Sequence, residues 1–262
     1  MADLLWWQYA LIAVIFVWSG FVRSGLGFGG AALALPFLLL VVNDPLIFLP
    51  IVAVHLMVFS SWIAYKGHIK AKRQASPEAV KSASNIDWAY LKKALSIMII
   101  PKMIGVFGLL TLPPALMSGI IFGIVGLYAV SYILNKPFQS KNSVVDMVFL
   151  MIGGYFSGTS LIGAPLIVAV FATKVVKEQL RDTLFVLWFV LVVIKMMSFI
   201  IAGVDLQLIH QWWLFPCALV GHFLGQGFHE RIIKMETPLF YRLLGISLLL
   251  ICLVGLFTSG IF

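Results

Sequence analysis

Carboxylates are scarce in this chain. Asp and Glu number 10 against 18 Lys and Arg in 262 residues, and each of the ten falls in a polar connection or at the edge of an apolar run. A proton or sodium relay through a membrane usually needs carboxylates buried among its helices, so their absence argues against one. Cysteine is nearly missing too. Cys217 and Cys252 both lie inside apolar runs and read as inert packing residues, with no disulfide framework. No Lys or Arg precedes the first apolar run, which opens after Asp3. It therefore lacks the charged start of a cleaved secretory signal, and Leu4–Val22 is expected to remain as a helix. His55 and His222 have no Glu or second His at ligand spacing, so no metal site and no cofactor is expected. Ser157, Thr159 and Ser160 have no local base, which leaves a serine nucleophile unsupported.

What the chain has is apolar surface. It is 62% hydrophobic and 11% charged, whereas soluble domains are nearer half apolar and a quarter charged. The bilayer must be its solvent, and a spanning chain must pair its backbone internally, as a helix bundle or a closed barrel. Barrel strands alternate apolar and polar residues, but Leu11–Val17 and Leu243–Leu256 are continuously apolar. Helices are expected. The net charge of +8 reads as the cationic loops of a membrane protein rather than as a nucleic-acid surface.

Apolar runs fall at Leu4–Val22, Ala31–Val42, Leu46–Tyr65, Leu91–Leu110, Ala115–Leu134, Val144–Phe156, Ala164–Thr173, Leu184–Ala202, Ile209–Phe228 and Leu239–Thr258. Ala31–Val42, Val144–Phe156 and Ala164–Thr173 are too short to cross, and short pieces beside glycine-rich breaks suggest re-entrant hairpins. The basic connection Lys66–Lys93 is expected in the cytoplasm. Counting crossings outward from it also puts Lys136, Lys141, Lys174, Lys177, Arg181, Arg231, Lys234 and Arg242 inside, and leaves the outer loops without Lys or Arg. Both termini then face out. Trp6, Trp7, Trp88, Trp212 and Trp213 sit at span ends, as an aromatic belt does.

The chain repeats itself. Gly20-Phe-Val-Arg-Ser-Gly-Leu-Gly-Phe-Gly-Gly-Ala31 opens one half and Gly154-Tyr-Phe-Ser-Gly-Thr-Ser-Leu-Ile-Gly-Ala-Pro165 opens the other. Aligning Gly29 with Gly163 sets Gly20 on Gly154 and Arg23 on Ser157, and each half carries a proline inside a later span, Pro101 and Pro216. The expected architecture is an all-α integral membrane protein of two inverted repeats, residues 1–134 (with the cytoplasmic loop 66–93) and 144–262. Each is a re-entrant broken-helix hairpin followed by three transmembrane helices.

The glycine breaks at Gly25, Gly27, Gly29 and Gly30, and at Gly163 with Ala164, let the chain turn sharply and leave N–H groups exposed. Half-helices starting near Ala31 and Ala164 would aim their positive ends into the protein, an arrangement suited to an anion. The plainer alternative is close helix packing by small residues. Arg23 sits in the first break, and Lys102, Lys195, His55 and His222 lie inside apolar runs, with no carboxylate among them. An unpaired cation there costs at least about 2.5–3.5 kcal/mol on insertion scales, so such groups need an anion or water. Snorkelling to the interface is the alternative for Lys195, and hydrogen-bonded packing for His55 and His222. The hydroxyls of Ser157 and Thr159 read as neutral donors to an oxyanion.

At these residues the chain resembles the sulfite exporter TauE/SafE family, also called the toluene sulfonate uptake permease family. The motif is Arg23-Ser24-x-x-Gly27-x-Gly29-Gly30, echoed by Ser157-Gly158-x-x-Leu161-x-Gly163-Ala164-Pro165. In the echo Leu and Ala replace two glycines of the family pattern, and Arg23 stands where that pattern has a small residue. The resemblance implies a non-enzymatic secondary transporter or exporter of a small sulfur oxyanion, such as sulfite or a sulfonate, in the cell membrane (the inner membrane in bacteria). The expected partners are the small anion and the lipid bilayer, with no nucleic acid, and a homodimer is compatible. Substrate-binding candidates are Arg23, Gly27, Gly29, Gly30, His55, Lys102, Ser157, Thr159, Gly163, Ala164 and Lys195. A small carboxylate substrate, or a membrane-embedded enzyme or assembly factor using His55 and His222, remain the other readings.

Overall fold

The computed structural model describes residues 4–26, 30–74, 86–136, 138–140, 142–232 and 238–259. The described residues form ten α-helices: α1 Trp6–Leu26, α2 Gly30–Val41, α3 Pro45–Gln74, α4 Trp88–Thr111, α5 Pro114–Ile133, α6 Ser143–Ser160, α7 Ala164–Lys174, α8 Lys177–Ile201, α9 Gln211–Ile232 and α10 Pro238–Thr258. By length and composition, Pro45–Trp62 of α3, α4, α5 and α8 can each cross a bilayer. This is a multi-pass helical membrane protein. On α4, Ile100, Ile104 and Phe107 are exposed while Met98, Lys102, Gly105 and Leu109 are buried. The exposed stripe is apolar, as a face toward lipid must be.

Local chemistry sets several helix ends. Asp87 accepts from Tyr90 N–H at 2.9 Å to start α4, and Asn142 accepts from Val145 N–H at 2.9 Å to start α6, each filling an otherwise orphan donor. Pro101 and Pro216 lie inside α4 and α9. Several expected boundaries shift: α8 starts at Lys177 rather than Leu184, and α1 and α9 each run four residues past their expected ends. The helix read as Leu46–Tyr65 runs on to Gln74, into the stretch expected as loop 66–93. The piece read as Val144–Phe156 runs to Ser160. Its last turn is small and polar, which hides it from hydropathy. The hydroxyls of Thr159 and Ser160 donate back to Phe156 O at 3.2 and 3.0 Å, so they are satisfied inside the helix.

Helix α1 packs on α9 and α6 on α4, while α3 meets α8 and α5 meets α10. The first two crossings are alike in detail. A Cβ on Gly20 would lie 2.1 Å from Ala218 O, and one on Gly221 would lie 1.9 Å from Val17 O. A Cβ on Gly158 would lie 2.2 Å from Lys102 O, and one on Gly105 would lie 2.4 Å from Tyr155 O. In each crossing two glycines face each other, and each abuts the carbonyl three residues before its partner. By this criterion Gly20 corresponds to Gly158, one helical turn beyond the Gly154 that sequence alignment pairs with it. The alignment was anchored on the breaks, and α1 continues farther past its crossing than α6 does.

Each hairpin is also tied at its base. Gln8 Nε2 donates to Val41 O at 3.1 Å across α1 and α2. Lys174 Nζ pairs with Asp146 Oδ2 at 2.9 Å across α7 and α6, and the Ser140 hydroxyl donates to the same carboxylate.

Candidate functional site

The buried cations divide into two groups, one at the end of each long hairpin arm. Arg23 lies in the last turn of α1, where a cation complements the partial negative charge of the helix end. It is 8% exposed. Its Nη1 donates to His55 O at 3.4 Å, and its guanidinium sits 4.1 Å from the centre of the Phe59 ring. Phe59 follows His55 by one turn of α3, so one face of that helix presents both. His55 is buried among the edges of Phe16, Phe59 and Phe215, and neither ring nitrogen has a hydrogen-bond partner among the described residues. On α9, His222 packs against Phe59. Its two ring nitrogens lie within hydrogen-bond distance of Gln226 Nε2, at 2.9 Å, and of the Ser24 hydroxyl beside Arg23.

A cavity of about 660 Å³ opens between α3, α8 and α9, lined by Phe59, Phe189, Phe215, His222, Phe223 and Gln226 among others. Sequence reasoning gave Ser24 only as part of a motif and missed Phe59, Phe215 and Gln226. Their signal was present as helical spacing, since Phe59 and Gln226 stand four residues after His55 and His222.

The second group surrounds the end of α6. Lys102 and Lys195 are both 0% exposed, so neither snorkels. Lys102 Nζ donates to Ser157 Oγ at 3.1 Å and to Ser157 O at 3.4 Å. Lys195 Nζ donates to Gly158 O at 2.6 Å and Thr159 O at 3.0 Å. The last carbonyls of a helix have no partner within it, and here ammonium groups supply one. The expectation that these lysines lack partners fails for that reason: helix-end carbonyls stand where carboxylates were sought. Leu161 then ends α6 in the left-handed conformation, φ 62° and ψ 16°. This is a position that favours glycine, and glycine stands there in the motif the sequence otherwise matches.

Gly163 precedes α7, and a Cβ on it would lie 2.2 Å from Gly153 O. It is required by the close approach of the two hairpin arms. Ala164 opens α7, with Pro165 behind it. Gly30 opens α2, where a Cβ would meet Ser19 O at 2.9 Å. Gly27 and Gly29 lie outside the described residues. A second cavity of about 510 Å³ runs beside α7 from Pro165 to Thr173, against Tyr128 and Tyr132 of α5. The Tyr128 hydroxyl is buried without a hydrogen-bond partner among the described residues.

Helices long and apolar enough to cross a bilayer, with an apolar exposed surface, place this protein in the class of multi-pass helical membrane proteins. The sequence pattern that defines the sulfite exporter TauE/SafE family matches residues 11–255, and the chain belongs to that family. Membership implies membrane transport of sulfur-containing anions. No match was found among curated proteins or among solved structures.

Proposed function

We propose that this protein is a secondary transporter that moves a small sulfur oxyanion, sulfite or a short sulfonate, and that Arg23 holds its anionic head. One observation carries the reading. A guanidinium has five N–H donors. Arg23 is buried and makes one long hydrogen bond, and no carboxylate pairs with it among the described residues. The donors that no protein group receives among the described residues are open to an oxyanion, which accepts from two of them bidentately. A short carboxylate meets the same demand and remains the nearest alternative. Lys102 and Lys195 hold the end of α6, with Ser157 between them, and add positive potential.

The two halves act as inverted repeats in this reading. The matching glycine crossings support it, as does helix direction. Tyr9 meets Trp213 and Ser24 meets His222, so α1 runs with α9. Gly154 meets Met98 and Gly158 meets Lys102, so α6 runs with α4.

The test is efflux from proteoliposomes loaded with radiolabelled sulfite, methanesulfonate or acetate. Sulfite or methanesulfonate should leave faster than from protein-free liposomes, and Arg23→Ala should abolish the difference. Efflux by Arg23→Ala equal to that of the unaltered protein would remove Arg23 from the mechanism, and no efflux of any anion would remove the transport assignment.

A further inference from the structure

We infer that the cavity between α5 and α7 is a phospholipid site, in which acyl chains fill the apolar space and an anionic head group lies on Lys136 and Lys174. The inference is independent of which anion the protein moves. Helix α7 is short and two-faced. Leu166, Ile167, Val170 and Phe171 are buried in the bundle. Pro165, Val168, Ala169, Ala172 and Thr173 recur at helical spacing on the other side, where they line a cavity of about 510 Å³. At roughly 30 Å³ per methylene, about one water volume, this space holds on the order of 17 methylenes. The α7 lining from Pro165 to Thr173 covers about 12 Å at the helical rise. One leaflet of hydrocarbon is about 15 Å deep, half the bilayer core, so the lining fits within a single leaflet.

Polar groups gather at one end of this space. The Ser131 hydroxyl, on the lining near the end of α5, donates to Lys136 O at 2.7 Å, which brings the exposed Lys136 to the rim. Ser140 also lines the cavity and donates to Asp146, whose Oδ2 pairs with Lys174 Nζ at 2.9 Å. An ammonium carries three donors, and Lys174 is 38% exposed, so it keeps donors for a phosphate oxygen. In the orientation expected from loop charge this rim faces the cytoplasm. Anionic lipids concentrate in that leaflet, and basic pockets between helices hold their head groups. Tyr128 lies deeper. It is 3% exposed, and its hydroxyl has no hydrogen-bond partner among the described residues. It stands about 8 Å before the end of α5 at the helical rise. The ester carbonyls of a phospholipid sit at such a depth below the head group, and one of them would accept from the Tyr128 hydroxyl.

The test is lipid titration of the delipidated full chain, read by native mass spectrometry, with phosphatidylglycerol, its ether-linked analogue and phosphatidylcholine. Phosphatidylglycerol should bind at least about fivefold more tightly than phosphatidylcholine by virtue of its net charge. Lys136→Gln combined with Lys174→Gln should bring that ratio close to one. Ala169→Trp fills the cavity and should remove the tight site, and Ala172→Trp makes the same test from the exposed end of that face should Ala169→Trp fail to fold. Tyr128→Phe should weaken the ester lipid severalfold and leave the ether lipid, which has no carbonyl to lose, unchanged. Equal affinity of the unaltered protein for phosphatidylglycerol and phosphatidylcholine would overturn the inference. Full retention of phosphatidylglycerol by the tryptophan variants would place the lipid elsewhere and overturn it too. So would displacement of the lipid by glycerol 3-phosphate, which would make this a site for soluble anions. A dimer that the tryptophan variants convert to monomer would put a second copy of the chain on this face in place of lipid.

Discussion

Alanine at Gly221 probes the crossing on which the Arg23 group hangs. The new Cβ would lie 1.9 Å from Val17 O and 2.8 Å from Phe21 N. Both are backbone atoms, so no side chain can swing aside. To bring the methyl to ordinary contact, α9 must retreat from α1 by roughly 1–1.5 Å, which a close-packed interior resists. Overpacking of this kind costs about 1–3 kcal/mol, and backbone against backbone belongs at the upper end. Alanine returns up to about 1 kcal/mol of helix propensity. The net expectation is a loss of about 2 kcal/mol. At about 2–4 °C per kcal/mol for a chain of this size, the midpoint of thermal unfolding in detergent should fall by several degrees. Gly105→Ala, 2.4 Å from Tyr155 O, should behave alike because its crossing is built alike. Gly123→Ala meets nothing within 4 Å and should be neutral or slightly stabilising. A midpoint for Gly221→Ala within one degree of the unaltered protein, with Gly123→Ala no better, would refute the close-crossing argument.

The other expectations concern charge and direction. Arg23→Lys should transport as poorly as Arg23→Ala in the proteoliposome assay, because a point charge does not replace a planar fork. Ser157→Ala removes the closest acceptor of Lys102 and should cost about 1.5–3 kcal/mol, the range for hydrogen bonds to charged groups. Ser160→Ala removes only a hydroxyl bonded back to Phe156 O and should cost less than half as much in the same thermal assay. Lys174→Met breaks the pair with Asp146 at a base where Lys174 is 38% exposed, so it should cost no more than about 1 kcal/mol. Single cysteines at Asn135 and Gln207, in connections at opposite ends of the bundle, should react with an impermeant thiol reagent on intact cells only at Gln207. Labelling at Asn135 alone would reverse the orientation.

Much of the fold was legible because bilayer thickness and the charge of loops constrain a sequence strongly. Each apolar run corresponds to one helix, though polar turns extend α3 and α8 well beyond their runs, and the starts of α2 and α7 lie where the glycine breaks put them. What was not legible is backbone proximity. Gly123 and Gly245 are both glycines in apolar helices, yet one faces open space and the other would drive a Cβ to 2.7 Å from Ala129 O. Nothing in their local sequence separates them. The partners of the lysines were hidden for a related reason. A census of carboxylates counts side chains, and the groups that receive Lys102 and Lys195 are mostly main-chain carbonyls, which every residue carries. The cavity wall was missed because aromatic residues in a membrane helix read as lipid-facing bulk until a neighbouring helix shows which of them line a space.

The similarity of the two crossings makes their chemical difference informative. Leu161 stops α6 three residues after its crossing glycine, and the carbonyls exposed there take up both buried ammonium groups. That positive charge is engaged with the negative end of a helix. In the first half α1 runs six residues beyond Gly20 before it ends at Leu26, and the added length carries Arg23 and Ser24 clear of the crossing. No lysine stands opposite. The position corresponding to Lys102 is Ala218, whose carbonyl abuts Gly20 as that of Lys102 abuts Gly158. Among the described residues, one break therefore has both cations held by helix-end carbonyls, and the other has Arg23 with one long hydrogen bond and a ring contact. In the proposed reading the anion's charge therefore belongs with Arg23, whose guanidinium makes one hydrogen bond among the described residues.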